Sequence, residues 1–332
     1  MTRFAFLDLV PVVEGGDVAQ SLARAADLAA HAEALGFHRY WVAEHHGMDG
    51  IASAATAVVI AHIGHATRRI RVGAGGIMLP NHAPLVIAEQ FGTLDALFPG
   101  RIDLGLGRAP GSDGRVARAL RRTLASDPND FPRDVGELQS YFAGEGAIRA
   151  TPGAGARPEM WVLGSSTFGA QLAAALGLPF AFASHFAPDT LDMALHLYRR
   201  DFRPSAALAA PYAMAGFNVF AAETDAEAEY LASSQQQAFV ALRTGNPRRL
   251  PPPVKGYRDT LGEQGRAILD HVLQCSAVGS PATVARGIAA FVERTGVDEV
   301  MVASAIYDHD RRRRSLEITA GVMGGVRAAA VA

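Results

Sequence analysis

The chain has 332 residues, a length that suits two domains or one large α/β domain, and 49% of them are hydrophobic, enough to build a sizeable core. A formal net charge of −2 argues against a broad electrostatic footprint for nucleic acid; the one dense basic run, Arg311 to Arg314, reads as a solvated helix start or a local anion contact. A single cysteine, Cys275, excludes an intrachain disulfide and a cysteine metal cluster and fits a reducing cytoplasm. The N-terminal apolar run meets Asp8 and Pro11 too soon for a signal-peptide core, and no segment approaches membrane-spanning length.

Apolar runs of strand length alternate with helical patterns along the chain. Arg3 to Leu9 reads as the first strand. After a Gly-Gly-Asp break, Asp17 supplies an N-cap for the helix "VAQSLARAADLAAHAEALG", which Gly36 terminates. The strand Arg39 to Ala43 follows, then a helix begun at Ser53, the strand "IRVGAGGIML", the helix "PLVIAEQFGTLDALFPG" and the strand "RIDLGLG". A looser Arg/Asp/Pro stretch separates these from the strand "EMWVLG", the helix "SSTFGAQLAAALGL", the strand "PFAFAS" and the helix "APDTLDMALHLYRRDF". The strand "YAMAGFNVFAA", a helix begun near Thr224, the helix "PATVARGIAAFVERTG", the strand "DEVMVAS" and a last helix complete the series.

Strands alternating with helices predict a parallel sheet covered on both faces, and roughly eight such units favour a (β/α)₈ barrel over an open doubly wound sheet. Residues 1–332 then form one domain. The stretch from about 203 to 265 interrupts its rhythm; it contains "TGNPRRLPPPVKGY", whose prolines block ladder and helix bonds, and reads as an insertion over the barrel mouth.

Barrel active sites lie at the carboxyl ends of strands, so polar groups there carry the candidate chemistry. Glu44, His45 and His46 end the second strand. Read alone, one histidine caps the next loop and the other is solvated; the spacing matches no metal motif. Gly75 and Gly76 suit either close approach of a planar ligand or a β-bulge. Arg108, just past the fourth strand, can grip a phosphate or form a surface pair. Gly164, Ser165 and Ser166 end a strand and open a helix, a place that suits an anion as well as an ordinary cap. His82 and His185 stand at two further strand ends, as substrate-side candidates. Walker A, nucleophile-elbow and dinucleotide motifs are missing from the sequence.

Taken in order, "GFHRYWVAEHHG", "VGAGGIMLPNHAPLVIAEQFGTLDALFPGRIDLGLGRAPGSD", "LGSS" and "GVDEVMV" resemble the bacterial luciferase-like flavin-dependent monooxygenases, closest to the non-luminescent single-chain subgroup. The resemblance runs from Phe4 to the last helix and is weakest through about Arg203 to Gly265. It implies a (β/α)₈ barrel that binds FMN, reduced elsewhere by an NAD(P)H-dependent reductase. The reduced flavin reacts with O2 to a flavin C4a-peroxide that oxygenates a small organic substrate. On this resemblance His45 is the catalytic histidine, with Glu44 orienting the pair His45 and His46. Gly75-Gly76 is the cis pair beneath the flavin, Arg108 holds phosphate, and Gly164, Ser165 and Ser166 form the phosphate turn. A homodimer across barrel helices is implied as well.

Two departures, Gly107 where light-emitting members carry cysteine and Ala83 where they carry histidine, argue against light emission and for a different substrate cleft. The alternatives are an F420-dependent hydride-transfer oxidoreductase on the same barrel and a non-catalytic flavin-binding protein.

Overall fold

The computed structural model describes residues 2–109, 116, 119–120 and 130–329. Eight parallel strands close into a barrel in the order β1 (Arg3–Asp8), β2 (Arg39–Val42), β3 (Arg71–Met78), β4 (Ile102–Gly107), β5 (Glu159–Gly164), β6 (Phe180–Phe182), β7 (Ala213–Ala221) and β9 (Glu299–Ala303), with β9 returning to β1. The (β/α)₈ expectation holds. A short strand, β8 (Ser276–Gly279), was not expected. It pairs only with the upper half of β7, Asn218 to Ala221, while Met214 to Asn218 of β7 pair with β9. β7 is long enough to leave the barrel wall and serve a second partner.

The helices around the barrel are α1 (Val18–Ala34), α2 (Thr56–Ala66), α3 (Pro84–Leu97), α4 (Phe131–Ala143), α5 (Thr167–Leu176), α6 (Leu191–Asp201), α7 (Asp225–Arg243), α8 (Tyr257–Thr260), α9 (Glu263–Val272), α10 (Pro281–Thr295) and α11 (His309–Ala329). Asp17 caps α1 as expected, its carboxylate accepting from the Gln20 amide at 2.8 Å. α2 begins at Thr56 rather than Ser53, because the Ser53 hydroxyl donates back to Ala43 O at 2.5 Å and stays tied to the end of β2. α4 lies in the stretch that looked loose in sequence. Pro132 stands in its first turn, where a missing N–H costs nothing, and Phe131, Val135 and Leu138 bury one face.

The amino-terminal end of the barrel is plugged by buried charge. Arg39 donates to Glu299 Oε1 at 2.9 Å and to Asp103 Oδ2 at 2.7 Å, and Trp41 Nε1 donates to the same Asp103 oxygen at 2.8 Å. Arg39, Asp103 and Glu299 are at most 1% exposed, and each is the first or second residue of its strand. Above this plug sits an apolar layer of Leu7, Trp41, Ala43, Trp161, Ala181, Met214, Met301 and Ala303. A larger core between barrel and helices includes Phe4, Phe6, Phe91, Phe180 and Phe217. The carboxyl ends of the strands, beyond this apolar layer, carry the polar groups that could hold a ligand.

The span of about 203 to 265 holds barrel strand β7 and helix α7. Between α7 and α8 the chain from 244 to 256 crosses to the mouth. Leu250 N–H donates to Val12 O at 2.9 Å, and Arg249 pairs with Asp49 at 2.8 Å, which ties this loop to those after β1 and β2. The basic run at the start of α11 is solvated except at Arg312, and all four arginines are paired. Arg312 is 5% exposed and pairs with the buried Asp8 at 2.8 Å, while Arg311, Arg313 and Arg314 pair with Glu227, Asp27 and Glu223. The helix packs against the barrel on this side, and closing the barrel brings these acids to it.

Candidate active site

Strand alternation decides what each residue of the Glu44-His45-His46 run faces. Trp41 and Ala43 point into the barrel, so His45 also points inward and Glu44 points away. Glu44 is 1% exposed and accepts from His46 Nε2 at 2.8 Å, His82 Nε2 at 2.9 Å, the Met78 amide at 3.0 Å and Asn81 Nδ2 at 3.2 Å. The expectation that Glu44 orients both neighbouring histidines is corrected: it holds His46 and, across to the next loop, His82, while His45 faces elsewhere. Burial opposes ionisation of Glu44, but the bonds from His82, Met78 and Asn81 outweigh it and hold the carboxyl below its usual range. Glu44, His46 and His82 also form a donor set that a divalent ion accepts, at separations that are those of hydrogen bonds.

His45 and His185 meet over the barrel from the ends of β2 and β6, near enough that charge on His45 disfavours charge on His185. The Nδ1 of each is buried without a hydrogen-bond partner among the described residues. Burial lowers the pKa of both, that of His185 to about 4, so both rings are neutral at pH 7. His185 rests on Gly216 of β7, where a Cβ would lie 2.0 Å from its Nδ1. Ser184 donates to Gly216 O at 2.6 Å, and Asn218 Nδ2 donates to His185 O at 2.7 Å. Sequence reasoning missed Gly216 and Asn218. The signal was present in "AMAGFNVFA", where the two non-apolar residues are spaced to share the inward face.

The Gly75–Gly76 peptide is cis, and the β3–β4 register shifts between Gly75 and Ile77. A Cβ on Gly75 would sit 2.7 Å from Trp41, and one on Gly76 would sit 2.7 Å from Gly105 O. Packing by itself therefore demands glycine at both positions. Arg108 and the turn after β5 converge: the Arg108 guanidinium lies 4.0 Å from the Phe168 ring centroid, in the first turn of α5. Ser166 occupies the N-cap with extended backbone, yet its hydroxyl makes no cap bond, so the first-turn amides of α5 stay open. Ser165 and Ser166 are exposed and Gly164 is half-buried. The rest of the fourth-strand motif, 110–113, lies outside the described residues.

The family described as luciferase-like monooxygenase matches residues 2–299. A luciferase-like monooxygenase of Escherichia coli (strain K12) is 51% identical over 96% of each chain. An N-acetyl-S-alkylcysteine monooxygenase of Bacillus subtilis (strain 168) is 35% identical over 74% of this chain and 75% of the relative. Among solved structures, apo-MsnO8 is similar with a TM-score of 0.87 and 33% identity, covering 98% of this chain and 99% of the other. The fold is shared further by the oxygenating constituent of 3,6-diketocamphane monooxygenase from the CAM plasmid of Pseudomonas putida, in complex with FMN (TM-score 0.73, 20% identity, 96% of each chain). It is shared too by an F420-dependent secondary alcohol dehydrogenase (TM-score 0.67, 14% identity, 98% of this chain and 99% of the other). The chain belongs to the luciferase-like monooxygenase family and is an oxidoreductase.

Proposed function

We propose that the protein is a monooxygenase that uses reduced FMN and O2 to place an oxygen atom on a small organic substrate. The observation that carries this reading is the meeting of Arg108 with the open first turn of α5, on the same mouth as His45 and its unpartnered ring nitrogen. The guanidinium and the α5 amides suit a phosphate dianion, through charge-assisted bonds and the helix dipole. Gly75 and Gly76 present bare backbone because Trp41 and Gly105 already fill the space a side chain would need, and bare backbone suits the approach of a flat ring system. Reduced FMN, when bound there, supplies the electrons that activate O2.

The chain's own groups do the rest. His45, neutral at pH 7, holds or accepts a proton at Nδ1. Glu44 is a positioning residue that locks His46 and His82 and so sets the loops on either side of His45. The loop 244–256, tied to the loops after β1 and β2, excludes water from the mouth as a lid. An NAD(P)H-dependent reductase would deliver the reduced flavin. The apolar helix α2, with Val58 70% exposed, offers a face to a second copy in a homodimer. The lone cysteine suits the cytoplasm.

F420 carries the same combination of phosphate and tricyclic ring, and a relative of the fold is named for it, so hydride transfer with F420 is the second reading. Anaerobic titration with reduced FMN and with F420, followed by mixing with O2, separates them. Binding of reduced FMN and an altered rate of its reoxidation are expected; His45→Ala should keep the binding and change the reoxidation or turnover. Binding of F420 with no binding of FMN would overturn the proposal.

A further inference from the structure

The proposed chemistry leaves Asn218 unused, and this residue is fully buried on the inward face of β7. Its Nδ2 donates to His185 O, which fixes the amide orientation and leaves Oδ1 as an acceptor without a partner among the described residues. The His185 ring beside it is half-buried, with its Nδ1 turned onto Gly216 and the rest of the ring toward the mouth. Buried polar atoms in native interiors are nearly always paired, so a partner from outside the chain is called for here. The two groups are also held rigidly. His185 is seated on Gly216, and its backbone is anchored by Asn218 and by the Ser184 bond to Gly216 O. Such anchoring is what a recognition element needs, because little ordering remains to be done when a ligand arrives.

We propose that Asn218 and His185 form the substrate-recognition subsite, and that it takes an uncharged group bearing an N–H or O–H donor, such as a secondary amide or an alcohol, rather than a carboxylate. Calling this ligand the substrate rests on the monooxygenase reading; the chemistry of the subsite does not. A donor satisfies Asn218 Oδ1 directly, and the neutral His185 ring can accept or give a second bond according to its tautomer. A carboxylate would set lone pairs against Oδ1. The nearby cation offers it no compensation: Arg243 donates to Phe186 O at 2.9 Å and stacks on the Phe186 ring. Selectivity follows from the orphaned acceptor, because a ligand without a donor leaves it unpaired.

Binding of three probes of similar size tests this: N-butylacetamide, N-butyl-N-methylacetamide and hexanoate, titrated calorimetrically into the full chain with and without FMN. N-butylacetamide should bind about tenfold more tightly than either of the others. Asn218→Leu should abolish that preference, and Gly216→Ala, whose new methyl pushes His185 off its seat, should weaken the amide specifically. Equal affinities in the wild-type protein, as an ordered water filling the subsite would produce, overturn the proposal. So does a preference that survives Asn218→Leu, or failure of all three probes to bind at their solubility limit. If Asn218→Leu does not fold, the wild-type comparison and Gly216→Ala decide. An amide preference in a protein that binds no FMN keeps the subsite and removes the cofactor reading; FMN binding without the preference does the reverse.

Discussion

Replacing Glu44 with alanine removes the acceptor that joins the loops after β2 and β3. Four donors converge on this carboxylate, two from imidazoles and one each from the Met78 amide and Asn81. His46 and His82 are 17% and 26% exposed, so their rings can turn to water when the carboxylate is gone. The Met78 amide cannot turn, and a donor left buried costs about 1–3 kcal/mol. Adding the lost anchoring of His82, the expected destabilisation is about 2–4 kcal/mol. Glu44→Gln keeps one oxygen but turns an amide toward donors, and should cost roughly half as much.

The assay is urea unfolding followed by the fluorescence of the buried Trp41 and Trp161, read as a shift in midpoint at unchanged slope. The pH dependence supplies a second check. Because the folded carboxyl titrates below its ordinary 4.5, its contribution is complete above pH 4.5 and is lost as pH falls through the folded pKa. The gap between wild type and Glu44→Gln should therefore be constant from neutral pH down to about 5 and close in stronger acid. A cost below about 0.5 kcal/mol for Glu44→Ala, the size of an ordinary surface change, would refute the clamp.

Three further outcomes are expected. Asp103→Asn takes one of the two buried counter-charges from Arg39, leaving Glu299, and should cost about 1–3 kcal/mol by the same unfolding assay. Burial lowers His185 from 6.5 to about 4, so the unfolded chain binds that proton more readily. The stability this contributes is complete above pH 6.5 and lost as pH falls toward about 4, and His185→Asn should flatten the ligand-free protein's stability profile across that window. Arg108→Ala should weaken FMN binding by about tenfold to a hundredfold, measured by quenching of flavin fluorescence, with little change in unfolding midpoint.

The local pattern of apolar residues was sufficient for the barrel. Short continuous apolar runs such as "RFAFLD" and "EVMVA" and the helical runs between them are properties of a few neighbouring residues, and burial on both faces follows from their composition. The same pattern placed Glu44, Arg108, Ser165 and His185 at strand ends, and hence at one mouth. It misled where a local signal was weak or ambiguous. The Arg/Asp/Pro stretch looked loose, yet Pro132 stands at a helix start, and four residues of β8 were too few to stand out.

Which polar groups touch was decided only by closing the barrel. Glu44 and His82 lie 38 positions apart, Asp8 and Arg312 lie 304 apart, and Asn218 reaches the carbonyl of His185 across 33. No periodicity within a single element encodes such pairs. They depend on strand order, on register and on which face each strand turns inward, and these are properties of the closed sheet.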